Sequence, residues 1–443
     1  MSMITSHGIR SHIVRGLEYF AYPYRHPANN AIIPVNPLDE FETINYYGFQ
    51  GKKDMSHDFR VLVVGDQSSG DELLFIAAQL LGTQAEIVNL DFSKAGTELT
   101  RQRALQFEVD HGIQWVTSEL TAFDPSRFGT FDYIRCVNAL DHSIRFDGDF
   151  NHMLSLLNPD GVLGMSCLAF YGREVYRQMQ EIATLYNTDS PELADQVYQL
   201  KELFFHTPES NQTRRAYENL LPGVRGLRDD AFVGEFLRAD TNGFSVEQLY
   251  RLLDSRHLTL SQFSRKTRPF YQPWFASTSP ELKDLFATRT SREIHAISEM
   301  AWSRIEHHEF WATRTPSPRT PLNDPDNIPF FNPFALNRKD WKSTLLAKES
   351  WDAPELTVII SDEEEYKTRL PWNPVIRDMV ELIDGKTTMG EIIAVLAENH
   401  TSIPATSILQ QCMDWIAATE LEDILLLRHR NVPLLPFASH LVS

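Results

Sequence analysis

Between Arg60 and Leu168, short β-branched runs alternate with stretches whose apolar residues recur at helical spacing, and this alternation limits the fold more than any other feature. The runs are RVLVVG, AEIVNLD, IQWVTSEL, FDYIRCVNAL and GVLGMSCLAF; DELLFIAAQLLG and SKAGTELTRQRALQFEVDHG separate the first three. Strands that are apolar on both faces belong in parallel sheets covered by helices, joined by right-handed crossovers. The window therefore reads as α/β, a Rossmann-like doubly wound sheet with its ligand crevice at the carboxyl ends of the strands.

The flanks carry different patterns. Residues 1–58 hold YFAYPYRHPANN (Tyr19 to Asn30) and then Tyr46, Tyr47 and Phe49, an aromatic arm with one helix. The sheet domain is placed at 59–170. Residues 171–312 read as mainly helical through REVYRQMQEIATLY, ELADQVYQLKELFF and SVEQLYRLLDS. In this region Glu306, His307, His308 and Glu309 invite a metal reading, but neighbours on a helix diverge by about 100°. They are expected on an exposed helical face. Residues 313–350 are a Pro-rich linker, extended over the surface, because proline interrupts helices. Residues 351–443 show three helical segments and a terminal strand, ILLLRHR. Gly385 ends the first segment, Thr387 or Thr388 with Glu391 caps the second, and Pro404 and Ser407 precede the third. That set predicts a small winged-helix-like domain for partner binding or homodimer formation, and the triplet Glu363 to Glu365 reads as a solvated helix start.

A chain of 443 residues exceeds one ordinary domain, so two or three packed units are expected. Its formal charge of −19 opposes polyphosphate binding and disfavours nucleic acid as partner, while attracting neutral or basic peptides. No run of ~18 apolar residues predicts a membrane span, and the opening MSMITSHGIRSHIV lacks an apolar signal segment. A cytoplasmic protein is expected. Cys136, Cys167 and Cys412 are too few and too scattered for a disulfide framework.

The chemistry-bearing pieces sit where the strands end. The turn after the first run is VVGDQSSGDELL, holding Gly65, Asp66, Gln67, Ser69 and Gly70; the second run ends in Asp91 and Phe92, 26 residues after Gly65; the third ends in Glu119 and Leu120; the fourth leads into Asn138, Ala139, Leu140, Asp141 and His142. With LLNPDGVLGMS, these pieces make the window resemble the class I S-adenosylmethionine-dependent methyltransferases. The resemblance covers about a quarter of the chain. Gln67 and Ser69 stand where that family usually has glycine. A narrower resemblance, carried by Tyr19, Pro23 and Tyr24 and by FLRADTNGFSVEQLYRLLDSRHLTLSQFS, is to bacterial methyltransferases with a regulatory helical domain, including the rickettsial protein-lysine methyltransferases.

These resemblances imply S-adenosyl-L-methionine as cofactor, lying across Gly65 to Gly70. Asp91 would hold its ribose, with Glu119 and Leu120 beside the adenine and Asn138 to Leu140 near the methionine; Phe92 is also counted among the cofactor-binding residues. Asp91 also reads as a plain turn start before Ser93. Tyr22 and Tyr24 read as core-packing aromatics or as phenols that orient an acceptor amine; Asp141 could hold an ammonium; His142 reads as a base or as a helix-start residue. The acceptor implied is a nitrogen of a peptide or protein side chain. A small-molecule or natural-product acceptor, a non-catalytic binding protein built on the same fold, and leader-peptide recognition by the terminal domain stay open beside it.

Overall fold

The computed structural model describes residues 32, 36–65, 70–141, 143, 145–186, 192–212, 214–215, 229–237, 242–272, 281, 284, 286–337, 340–347, 354–359 and 367–435. Helix α1 (Phe41–Gly48) precedes the sheet. Then come β1 (Arg60–Val64), α2 (Asp71–Gln79), β2 (Glu86–Asp91), α3 (Lys94–Gln106), β3 (Ile113–Thr117), β4 (Phe131–Val137), α4 (Phe146–Ser155) and β5 (Leu157–Leu168). Every run singled out in the sequence is a strand. The sheet order is β3-β2-β1-β4-β5-β7-β6, where β6 is Thr259–Phe263 and β7 is His307–Thr313. Strands β1 to β5 pair in parallel, and β7 runs antiparallel to both of its neighbours.

Side chains alternate across this sheet as the two-residue period demands. Val61 and Val63 join a core with α1 and α2, whereas Leu62 and Val64 join a second core with α4 and α8 (Val246–Asp254). Each such buried aliphatic side chain is worth roughly 1.5–3 kcal/mol. A third cluster belongs to α5 (Glu174–Tyr186), α6 (Leu193–His206) and α7 (Asp229–Phe236), which pack through Tyr176, Met179, Leu200, Phe204, Phe232 and Phe236. A helical unit is thus inserted between β5 and α8.

Residues Glu306 to Glu309 are not on a helix. After α9 (Ser291–Trp302) the chain turns into β7, and His308 is fully buried there. Its ring lies 2.6 Å from the Tyr271 hydroxyl through Nδ1 and 2.8 Å from the Phe244 carbonyl through Nε2. With both ring nitrogens partnered, the histidine is accommodated in a strand that its polarity hides. Burial also holds the adjacent His307 imidazole down at about 3, so it stays neutral.

The Pro-rich connector contains a strand as well. Strand β8 (Asn327–Phe331) pairs antiparallel with the terminal strand β11 (Leu425–His429), placing Pro329 opposite Leu427. A two-stranded pair consists of edges, where the missing proline N–H is tolerated. Between them lie the antiparallel pair β9 (Glu355–Ile359) and β10 (Lys367–Pro371), then α10 (Pro374–Leu382), α11 (Met389–Asn399) and α12 (Ala405–Thr419). The three expected helices are present, and Thr388 with Glu391 forms the capping box. Among the described residues the strands of this unit form two separate pairs, β8 with β11 and β9 with β10. Glu363 to Glu365 lie outside the described residues. No helix among the described residues is long and apolar enough to cross a membrane.

Helix α1 joins the sheet to this terminal unit. The Tyr47 ring stacks on Trp311 of β7 at 5.3 Å, and its hydroxyl donates to Asp423 at 2.6 Å. The Tyr46 hydroxyl donates to Glu420. Arg268, just beyond β6, meets Asp423 at 2.6 Å, and Arg265 bonds Glu40. Burial holds the Glu422 carboxyl up at about 8 against the pull of Arg268, Glu42 at about 7 and Asp39 at about 6. A carboxyl raised in the folded state keeps a proton that the unfolded chain releases, so its contribution is complete below the ordinary value of 4.5 and is lost as pH climbs through the raised one. Each such proton changes stability by ~1.4 kcal/mol per pH unit. The melting temperature should therefore fall from pH 5 to pH 9, measured by scanning calorimetry. Between pH 7 and pH 9 the fall should be shallower in Glu422→Gln, leaving the part that Glu42, half titrated at pH 7, still contributes.

Candidate active site at the switch point of the sheet

Strand order reverses at β1, which has β2 on one side and β4 on the other. In open α/β sheets this is where the crevice opens, beyond the carboxyl ends of the strands. The local chemistry is built by what each strand does as it ends. Gly65 leaves β1 with φ +67°, its N–H donating to Leu90 O at 2.9 Å. A Cβ on Gly65 would lie 2.8 Å from the Ala139 Cβ, so the ends of β1 and β4 approach as closely as they do only because this residue is glycine. Gly70, at φ +72°, opens α2 and lies so close to Thr100 of α3 that a Cβ would come within 2.7 Å of its side chain.

Asp91 ends β2 with 5% exposure, and its Oδ1 accepts the Ser93 N–H at 2.7 Å. Ser93 in turn caps α3 by accepting the Gly96 N–H at 3.0 Å. The turn-start reading of Asp91 is therefore correct as a description of one oxygen, and it holds the carboxylate at the strand end. Phe92 beside it is 44% exposed, an aromatic face left at the crevice. The Ser118 N–H donates to Asp91 O at 3.0 Å and brings the end of β3 alongside. Glu119, which follows, is exposed, and Leu120 packs against the core on the α4 side.

After β4 the chain turns through Asn138 at φ +56°, a left-handed conformation that asparagine tolerates better than most residues. Its Oδ1 accepts the Ser166 hydroxyl of β5 at 2.8 Å. Ala139 and Leu140 follow, Leu140 buried in the α4-side core. Asp141 is 2% exposed, and its Oδ1 accepts the Leu168 N–H at 3.3 Å. Burial pushes the neighbouring Cys136 thiol up to about 12, which keeps it protonated and inert. Gly65, Gly70, Asp91, Phe92, Glu119, Leu120, Asn138, Ala139, Leu140 and Asp141 thus gather at the carboxyl ends of β1 to β4. Tyr22, Tyr24, Asp66, Gln67, Ser69 and His142 lie outside the described residues.

Buried ion pairs that the sequence did not announce support the first turn of α2. Arg103 of α3 meets Asp71 at 2.7 Å with both side chains fully buried, and Arg135 of β4 meets Asp39 at 2.6 Å and Glu72 at 3.6 Å. The one legible sign was an arginine inside an otherwise apolar strand run, FDYIRCV. Removing one member of such a pair costs ~3–5 kcal/mol, because the other is left charged and buried.

Residues 62–220 match a family described as a methyltransferase domain. No curated protein matches the chain in sequence. Among solved structures, PKMT2 from Rickettsia typhi is 13% identical, the match covering 97% of this chain and 77% of that one with a TM-score of 0.54. The same protein in complex with AdoHcy is 15% identical over 89% of this chain and 77% of that one, with a TM-score of 0.57. Both likenesses extend past the sheet into the outer parts of the chain. Residues 62–220 thus match a methyltransferase domain in sequence, and the chain shares the Rossmann-like fold of these structures.

Proposed function

We propose that the crevice binds S-adenosylmethionine between the β1 turn and the ends of β2 and β4, and that the protein methylates a nitrogen of a peptide or protein side chain, lysine-like. The observation that carries the cofactor assignment is the pairing of a glycine-only approach at Gly65 with the strand-end carboxylate of Asp91. The residues fit the group. Glycines bracket the turn that a bulky ligand must approach, a carboxylate is fixed for two ribose hydroxyls, and an exposed aromatic face at Phe92 suits an adenine ring.

When bound, the cofactor supplies a methyl group on a sulfonium, an electrophile that an amine attacks in line. Positioning is the chain's main contribution to such a step. Asp91 accepts from the ribose, Glu119 and Leu120 border the adenine, and Asn138, Ala139 and Leu140 hold the methionine side. In this reading Asp141 holds the acceptor ammonium, and the roles assigned from sequence are proton acceptance for His142 and orientation of the acceptor for Tyr22 and Tyr24. The peptide reading is supported by the charge of −19, which draws a lysine-bearing segment, and by the likeness to PKMT2 over the outer regions.

Calorimetric titration with S-adenosylhomocysteine should show micromolar binding that Asp91→Ala abolishes. Labelled methyl transfer to lysine-containing peptides should follow in the wild type alone; label reaching only small-molecule amines would sink the peptide acceptor. Gly65→Ala should weaken S-adenosylhomocysteine at least tenfold in the same titration and cost ~1–3 kcal/mol of stability, since its methyl group must be fitted at positive φ against Ala139.

A further inference from the structure

The chain returns from the helical unit at Asn242, and from there to Val246 it is bound to the ends of β4 and β5. The Phe244 N–H donates to Leu168 O at 2.9 Å, and the Phe170 N–H donates to Phe244 O at 2.9 Å, extending β5 by one bridge. His308, fully buried, lies 2.8 Å from the Phe244 carbonyl through Nε2, and the Val246 N–H donates to Glu299 Oε2 at 2.7 Å. The Phe146 and Phe244 rings meet at 5.0 Å. The segment is fixed on several sides before Asn242 makes any contact of its own.

From that base Asn242 reaches the turn after β4. Its backbone N–H donates to Asp141 O at 2.8 Å, and its Nδ2 donates to Ser143 O at 2.7 Å while lying 3.5 Å from the carbonyls of Leu140 and Asp141. Several carbonyls of one turn face a single side-chain amide. On the opposite side the same turn is held by Ser166 to Asn138 and by the Leu168 N–H to Asp141. The turn contains a left-handed Asn138, a conformation that persists where its surroundings hold it.

We propose that Asn242 is a positioning residue for methyl transfer, holding the turn of Asn138 to Asp141 and Ser143 in the shape that meets the methionine side of the cofactor. This rests on the cofactor placement proposed above. An amide is required because only a donor satisfies carbonyl oxygens. Aspartate has the same shape, but it offers no hydrogen and sets a negative charge against them. The return of the chain from the helical unit thereby becomes part of the site, although Asn242 itself need touch no ligand.

The test compares Asn242→Asp and Asn242→Ala with the wild-type full chain. Affinity for S-adenosylhomocysteine and for adenosine is measured by calorimetry, amide exchange across 138–143 by mass spectrometry, and melting by scanning calorimetry. Both variants should bind S-adenosylhomocysteine at least tenfold more weakly, Asn242→Asp the more so, with faster exchange in the turn. Adenosine, which lacks the methionine part, should bind within twofold of wild type, and melting should shift by only a few degrees. Unchanged S-adenosylhomocysteine affinity in a folded variant overturns the proposal, as does an equal loss for both ligands. A wild-type protein that binds neither ligand overturns the cofactor placement, and the role of Asn242 with it.

Discussion

The buried carboxylate of Asp423 is the contact on which the arrangement of the chain turns. It receives the Tyr47 hydroxyl and the Arg268 guanidinium, each at 2.6 Å, and Arg268 also lies over the Tyr47 ring at 4.9 Å. Tyr47 comes from α1, Arg268 from the segment after β6 and Asp423 from the turn before β11. Three parts of the sequence, separated by hundreds of residues, therefore meet where water is excluded and where a charge left alone is costly. Tyr46 and Arg319 repeat the arrangement on Glu420. The terminal unit is consequently not an appendage on a flexible tether: its helices share one apolar core with α1, α2 and one face of the sheet.

That anchoring bears on the site. Asp39 and Glu40, just before α1, reach Arg135 of β4 and Arg265 beyond β6, so the chain leading into α1 is held by ion pairs under the carboxyl end of the sheet. Burial raises Asp39 to about 6, a cost that its pair with Arg135 reduces. Together with Asp71 and Arg103, these pairs fix the start of α2 from beneath. A turn poor in glycine can still serve a ligand if its ends are fixed where backbone must pass closely. Gly65 and Gly70, the two residues with positive φ that bracket it, are those ends.

What the sequence made legible follows from burial geometry. Strands β1, β2, β4 and β5 are covered on both faces, so they are mostly apolar and announce themselves, and β3 follows in the same rhythm. Strands β6 and β7 lie at the far edge as an antiparallel pair; β6 reads TLSQF and is only partly buried, and β7 opens with two histidines and a glutamate. Such strings carry no helix-breaking residue and no alternation long enough to count. Strand β8 was hidden by its proline. Among the candidate site residues, Asp91, Gly65 and Gly70 could be singled out because their positions at strand ends give them meaning locally. Asn242 was not, because its contacts lie about a hundred residues away in sequence and NGFS looks like any loop entering a capped helix.

The helical unit has its own core, yet both of its covalent links to the sheet domain leave from one place. It departs just after β5, where a Cβ on Gly172 would lie 1.9 Å from the Ile305 carbonyl, and it returns through Asn242 to pair with the end of β5. The Tyr176 hydroxyl adds a contact, donating to Glu306 at 3.1 Å. A unit attached through neighbouring anchors transmits a displacement to them first, and those anchors adjoin the turn after β4. An acceptor seated between the helices and the sheet would thus press on the same turn that we propose borders the cofactor. Acceptor and cofactor binding would then share a free energy through backbone carbonyls that one asparagine holds in place.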